Sequence, residues 1–241
     1  MKKLFFTSVA FTIFSLSSLA QENPYLVTGR SFVGGGLSLV ISENEEPGTD
    51  FITGRSTKDN LFGISPTYGK LFNERWAAGV RVSLRFGNNS NTIIGNGFTN
   101  ESVRASTNIS ITPFLRRFFP ISDRFGGYLQ PELSYAYERA NSEETFQDTN
   151  SPINDRMQTF ESNGHTGRVG AQGGLYYFVT PHFLVETSLL RLDISYGTTD
   201  RRRTDSNARP EDNTQLTRTD IRLNLVNQLS FDQILTLYYY F

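Results

Sequence analysis

The sequence predicts an all-β fold: a closed, antiparallel, up-and-down transmembrane β-barrel of about eight strands. Three observations carry that expectation. Segment after segment alternates apolar and polar residues with a period of two, as a strand does when its faces meet different surroundings. Short polar links alternate with long ones, as in a barrel with tight turns at one end and long loops at the other. The mean hydropathy is only −0.36, and no apolar run beyond Phe14 is long enough for a membrane helix. A membrane-spanning form must then be a barrel, because only helices and closed barrels satisfy every backbone group in hydrocarbon.

Residues 1–20 stand apart. Lys2 and Lys3, the apolar run from Leu4 to Phe14 and the small residues before Gln21 form the three parts of a secretory signal peptide. The domain division expected is therefore 1–20 signal peptide and 21–241 barrel. A first strand is expected over residues 30–42, with Val33, Gly35, Leu37, Leu39 and Ile41 on one face. Gly34, Gly35 and Gly36 lack the spacing of a phosphate loop and read as relief of crowding in a bent wall. The second strand, 60–71, sets Phe62, Ile64, Pro66 and Tyr68 against Gly63, Ser65, Thr67 and Gly69.

The third strand is the clearest. Trp76, Ala78, Val80, Val82, Leu84 and Phe86 alternate with Ala77, Gly79, Arg81, Ser83, Arg85 and Gly87. A one-residue slip would turn both arginines to lipid and cost about 4–8 kcal/mol. The fourth strand turns Val103, Ala105, Thr107, Ile109 and Ile111 outward, and Arg104 and Asn108 inward. The fifth places Leu129, Pro131, Leu133, Tyr135 and Tyr137 outward, with Gln130, Glu132, Ser134 and Glu138 inward. In the sixth, Val169, Ala171, Leu175 and Tyr177 oppose Arg168 and Gln172. The seventh changes phase between Val185-Thr187-Leu189 and Leu190-Leu192-Ile194-Tyr196, the mark of a β-bulge. The last runs from about Thr219 to Phe241, as one strand or as two broken at Asn227-Gln228. Tight turns are expected at 72–75, 116–126 and 179–182, and long loops at 43–58, 88–101, 140–163 and 197–217. Pro66, Pro113 and Pro131 fall inside strands, where a closed barrel offers no free edge; rims or bulges are expected for them.

Charge and composition exclude some classes. A formal net charge of −1 gives no reason to expect nucleic acid. The absence of cysteine means that this exported chain is held by a hydrogen-bonded sheet or a core, not by disulfides. Twenty Phe, eleven Tyr and twenty Gly suit aromatic girdles and tight sheets.

The Gly-rich first strand, the segments 119–126 and 174–183, and the ending Leu237-Tyr-Tyr-Tyr-Phe241 carry a resemblance. The chain resembles the small eight-stranded outer-membrane β-barrel proteins of Gram-negative bacteria, porin-like in the broad sense, of the OmpA, OmpX and OmpW kind. The resemblance implies an outer-membrane location with the long loops outside the cell. It also implies that the barrel assembly machinery reads the terminal strand through Leu237, Tyr239 and Phe241. These motifs transfer architecture and no chemistry. No peptidoglycan-binding domain is expected after the barrel.

The interior charges are the constellation of interest: Arg81, Arg85, Arg104, Glu132, Glu138, Arg168, Glu186 and Arg222. Eight strands leave room for side chains and little else, so a salt-bridged filling is expected rather than a channel. Arg81 or Arg104 changed to Ala should then affect stability more than conductance. His182 and Glu186 lack a third metal ligand, and His165 lacks a nucleophile and acid fixed beside it. No catalytic, cofactor-binding or metal residue is assigned, and no cofactor is expected. Arg201, Arg202 and Arg203 could grip the phosphates of lipopolysaccharide, though a charge run is ordinarily a solvated loop.

The function expected is a monomeric, non-enzymatic outer-membrane barrel with a structural, adhesive or weakly pore-forming role. Outer-membrane lipid and, during biogenesis, the barrel assembly machinery are its expected partners, with lipopolysaccharide a further candidate should the arginine run be more than a solvated loop. Two alternatives share the alternation: a barrel-borne lipid-modifying enzyme, and a soluble periplasmic lipocalin-like carrier with its apolar face inward.

Overall fold

Residues 24–48, 52–148, 156–205, 215–226 and 236–241 are described by the computed structural model. The signal peptide expected at 1–20 and the junction expected at Asn227-Gln228 lie outside the described residues. The strands are β1 (Ser31–Pro47), β2 (Ile52–Asn73), β3 (Trp76–Gly95), β4 (Phe98–Pro120), β5 (Phe125–Asp148), β6 (Arg156–Phe178), β7 (Phe183–Asp205), β8 (Gln215–Val226) and β9 (Thr236–Tyr240). From β1 to β7 each strand pairs antiparallel with the next. The chain's last stave comes in two pieces. β8 pairs with β7 over Arg191–Arg202. β9 pairs with β7 on one side and with β1 on the other, Gly34 facing Tyr238 and Val185 facing Leu237. The result is an eight-stave, up-and-down ring closed through β9. We call the end that carries both termini of the barrel the terminal end, and the other the hairpin end.

The alternation puts the apolar side chains outside. Val82, Phe86, Ile109, Ile111, Leu133, Val169, Ile194 and Leu237 are exposed on the outer face. Ser83, Thr112, Gln130, Glu132, Ser134, Gln172 and Glu186, from the alternate positions, are buried inside. A soluble carrier with a dry apolar centre would show the reverse. Phe62 and Phe72 on β2, ten residues apart, bracket this outer band, as Trp76 and Phe86 do on β3. Ten residues at a rise of about 3.3 Å, tilted by about 40°, span roughly 25 Å, the height of the apolar band of an outer-membrane barrel.

The four long loops expected at 43–58, 88–101, 140–163 and 197–217 are largely strand instead. β3 and β4, for example, stay paired to Gly95 and Phe98, joined by Asn96 and Gly97, whose φ of 91° suits a glycine turn. The physical reason is that strands leaving the apolar band have water on both faces. They lose the apolar half of their alternation but keep the backbone ladder. Polar cross-strand pairs replace it: Glu43 sits opposite Lys58 with Nζ and Oε1 2.6 Å apart. That carboxylate raises the Lys58 pKa by hydrogen bond and charge. Phe98 stacks on Phe146, and Arg201 lies over the Phe160 ring.

The turn expected at 116–126 is also corrected. β4 runs on to Pro120, and only residues 121–124 turn, with the Phe125 carbonyl accepting from the backbone N–H groups of Ile121 and Ser122. The arginine pair looked like a boundary, but Arg116 is wholly buried inside and Arg117 packs over the Trp76 and Phe119 rings. The turn at 179–182 stands as expected, and the phase change in β7 is a register shift between Gly173 and Gly174, opposite Leu189.

The three prolines lie mid-strand rather than at a rim. Each is paired on one side only, Pro66 with Gly35, Pro113 with Val80 and Pro131 with Ala171, and the ladder on its other side is interrupted. Inward side chains bridge each interruption. Ser65 donates to Ser83 (3.0 Å), Thr112 to Ser134 (2.9 Å), and the Arg116 guanidinium to Gln130 (2.6 and 2.8 Å). Interior hydrogen bonds thus stand in where proline removes a backbone donor.

Candidate functional site: the barrel interior

The interior has three layers. At the terminal end, Phe32 of β1, Leu71 of β2, Phe118 of β4, Phe178 of β6, Leu184 of β7 and Tyr240 of β9 converge with no exposed surface. The segment before β1 folds across this floor. Leu26 is fully buried, Tyr25 packs its ring on Phe178 at 5.3 Å, and Arg30 donates to the Tyr25 and Tyr240 carbonyls, each at 3.2 Å. His182 Nδ1 lies 2.8 Å from the Tyr240 carbonyl oxygen and 3.0 Å from a guanidinium nitrogen of Arg30. The carboxylate of Glu186 points into the barrel toward Arg116.

The second layer is built on Arg116. Its guanidinium donates to Glu186 by a forked pair at 2.6 and 3.1 Å, and the residue exposes no surface to water. The rings of Phe114, Phe118, Tyr128 and Tyr238 surround it at 4.7–5.7 Å. Tyr238 also donates to Glu186 at 3.0 Å. The fork, the carboxylate and the ring faces together offset the desolvation of a fully buried cation. Just above, Glu132 receives Arg191 at 2.5 Å and Arg81 at 3.7 Å, and Asp193 receives Arg168 and Arg191, each at 3.4 Å.

The third layer is open. A cavity of about 520 Å³ occupies the barrel from this network toward the hairpin end. Its walls are small: Gly36 and Ser38 of β1, Ser65 of β2, Gly87 of β3, Ser106 and Ser110 of β4. Arg85 projects into it. Near the mouth, Arg104 pairs with Glu138 at 3.0 Å and Arg222 with Asp220 at 3.4 Å, both arginines largely in solvent.

Of the residues singled out from sequence, Arg81, Glu132, Arg168 and Glu186 lie in the buried networks. Arg85, Glu138 and Arg222 line the cavity, the last two near its mouth, where Glu138 pairs with Arg104 from outside the lining. Sequence reasoning missed Arg116, Arg191 and Asp193. The signals were present: Arg116 shares the even-numbered phase of Arg104 and Thr112, and the bulge at Leu189 turns Arg191 and Asp193 inward. It also missed the cavity, because it took the interior as filled. His165 lies on the exposed outer face, bonded to the Tyr135 hydroxyl at 2.8 Å.

Leu237, Tyr239 and Phe241 are exposed on the outer face of β9, where Tyr239 packs against Phe183 and Phe241.

A family model of the outer membrane protein beta-barrel domain matches residues 6–228. The crystal structure of the outer membrane protein OprG from Pseudomonas aeruginosa is similar, with 15% identity and a TM-score of 0.41, covering 89% of this chain and 97% of that one. A major outer membrane protein from Thermus thermophilus is similar at 12% identity and a TM-score of 0.43, covering 88% of this chain and 99% of that one. No curated protein matches. Since the family match spans most of its length, the chain belongs to the outer membrane protein beta-barrel domain family, which places it in the outer membrane.

Proposed function

We propose that the chain is a sealed barrel, with a structural or adhesive role at the cell surface and no continuous path for solutes. The observation that carries this reading is the floor. Six large side chains from six strands, with Leu26 laid across them, leave no exposed surface, and Arg116 above them leaves none either. A conducting path would have to break the Arg116–Glu186 pair and part these rings.

In this reading the terminal end faces the periplasm and the hairpin end faces outside. The hairpins are polar, and on β2 they continue for ten residues beyond Phe62, roughly another 25 Å above the apolar band. Such a rigid polar wall suits contact with surface polysaccharide or another cell. Residues 1–20 serve as the export signal, and the outer face of β9 is what the assembly machinery reads. Arg201 to Arg203 lie on the hairpin of β7, within reach of lipopolysaccharide phosphates. The reading involves no enzymatic step.

Single-channel recording of the purified chain in planar bilayers tests it. No discrete current steps are expected. Regular, charge-selective steps would contradict the sealed floor and favour the weak-pore reading.

A further inference from the structure

Among the described residues that line the cavity, the interior networks leave one cation over. Among the described residues, Arg85 has no hydrogen bond or ion pair to any side chain. Its charged neighbours are Arg81, Arg168 and Arg191, all of its own sign. The nearby carboxylates are already engaged: Glu132 by Arg81 and Arg191, and Asp193 by Arg168 and Arg191. Glu186 belongs to Arg116, and the acids near the mouth, Glu138 and Asp220, face Arg104 and Arg222. Among the described residues the layer therefore sets four arginines against two carboxylates, inside a wall that excludes the screening available at a free surface.

The wall is shaped around this side chain. Gly63 stands directly opposite Arg85 on β2, and a Cβ there would press on Arg85 Cγ at 3.2 Å and on Ser38 Oγ at 2.5 Å. Glycine at that position leaves Arg85 free to extend into the open space. A volume of about 520 Å³ is ample for a small solute and its water. Hydroxyl groups of Ser38, Ser83 and Ser106 line the same space.

We propose that the cavity is a binding site for a small oxyanion, a phosphate or a carboxylate, held by the Arg85 guanidinium with Arg81 and Arg168 supplying further positive charge. A planar guanidinium offers two parallel N–H donors that match two oxygens of such a group. Serine hydroxyls complete the shell. The site stands on the cavity and its charge, whichever way the floor behaves, so it is tested separately from conductance.

The test uses the refolded full chain in a non-ionic detergent at fixed ionic strength. Inorganic phosphate and acetate are titrated in turn by calorimetry, with chloride as the reference anion. Saturable binding of either supports the site and names its class. Arg85→Gln is expected to weaken that binding by about tenfold or more, whereas Lys58→Gln, on the β1–β2 hairpin outside the cavity, leaves it unchanged. The Arg85 Nε–H resonance of the unmutated chain should move with the same titration, which keeps the test valid if the variant does not fold. No saturable binding of either anion overturns the proposal. So does an Arg85→Gln variant that binds as the unmutated chain does, or an Arg85 resonance unmoved at saturation.

Discussion

Arg116 and Arg104 lie on the same face of the same strand, yet their surroundings make them very different residues. Arg116 has no exposed surface and shares a forked pair with Glu186 inside four aromatic rings. Removing it strands a carboxylate in a dry interior, so Arg116→Ala should lower stability by about 3–5 kcal/mol. Arg104 holds Glu138 at 3.0 Å with half of each side chain in solvent, and Arg104→Ala should cost about 1 kcal/mol or less. Urea titration of the two variants refolded into lipid vesicles measures the difference; equal losses would contradict this ordering. The expectation from sequence that Arg104→Ala would act mainly on stability is thereby given a small magnitude. Alternation shows which way an arginine points, but not how deep along the barrel it lies or which partner faces it across the bore. Arg116 was hidden for a related reason: its neighbour Arg117 made the pair look like a turn.

At the scale of elements, the alternation located every stave of the ring and the bulge in β7, because those features leave a phase in the sequence. The hairpin extensions left none. Residues 88–92 and 99–101 are polar on both faces, and what makes them strand is the ladder from Asn88↔Ala105 to Gly95↔Phe98, a backbone property. Amide hydrogen exchange should therefore show protection across Asn89–Ile94, where a solvated loop would exchange within the dead time. The closing seam is equally specific. At Gly34 a Cβ would meet the Leu237 carbonyl and the Tyr238 ring. Gly34→Val should block the β1–β9 pairing and abolish the compact, heat-modifiable form on a gel. A variant that still migrates as a folded barrel would show that closure does not depend on this close approach.

For the whole molecule, the fold class and the membrane setting were legible because one physical fact, the sidedness of the strands, is written at every second position. The cavity was not legible. It arises because small residues on β1, β2 and β4 share a level with the arginines of β3, β6 and β7, and a sequence does not state which levels coincide around a ring. The same sidedness gives the most direct test. The chain has no cysteine, so single cysteines can carry a nitroxide without background. Collision accessibility should be measured in lipid vesicles at Val82, Ile109 and Leu133, and at the adjacent inward positions Ser83 and Ser110. Labels at the first three should be relaxed by oxygen dissolved in the lipid and shielded from a water-soluble relaxant, and labels at the two serines should show the opposite. If the serine positions instead meet lipid-borne oxygen while 82, 109 and 133 do not, the apolar face is not the outer one, and the account of this chain as a membrane barrel fails.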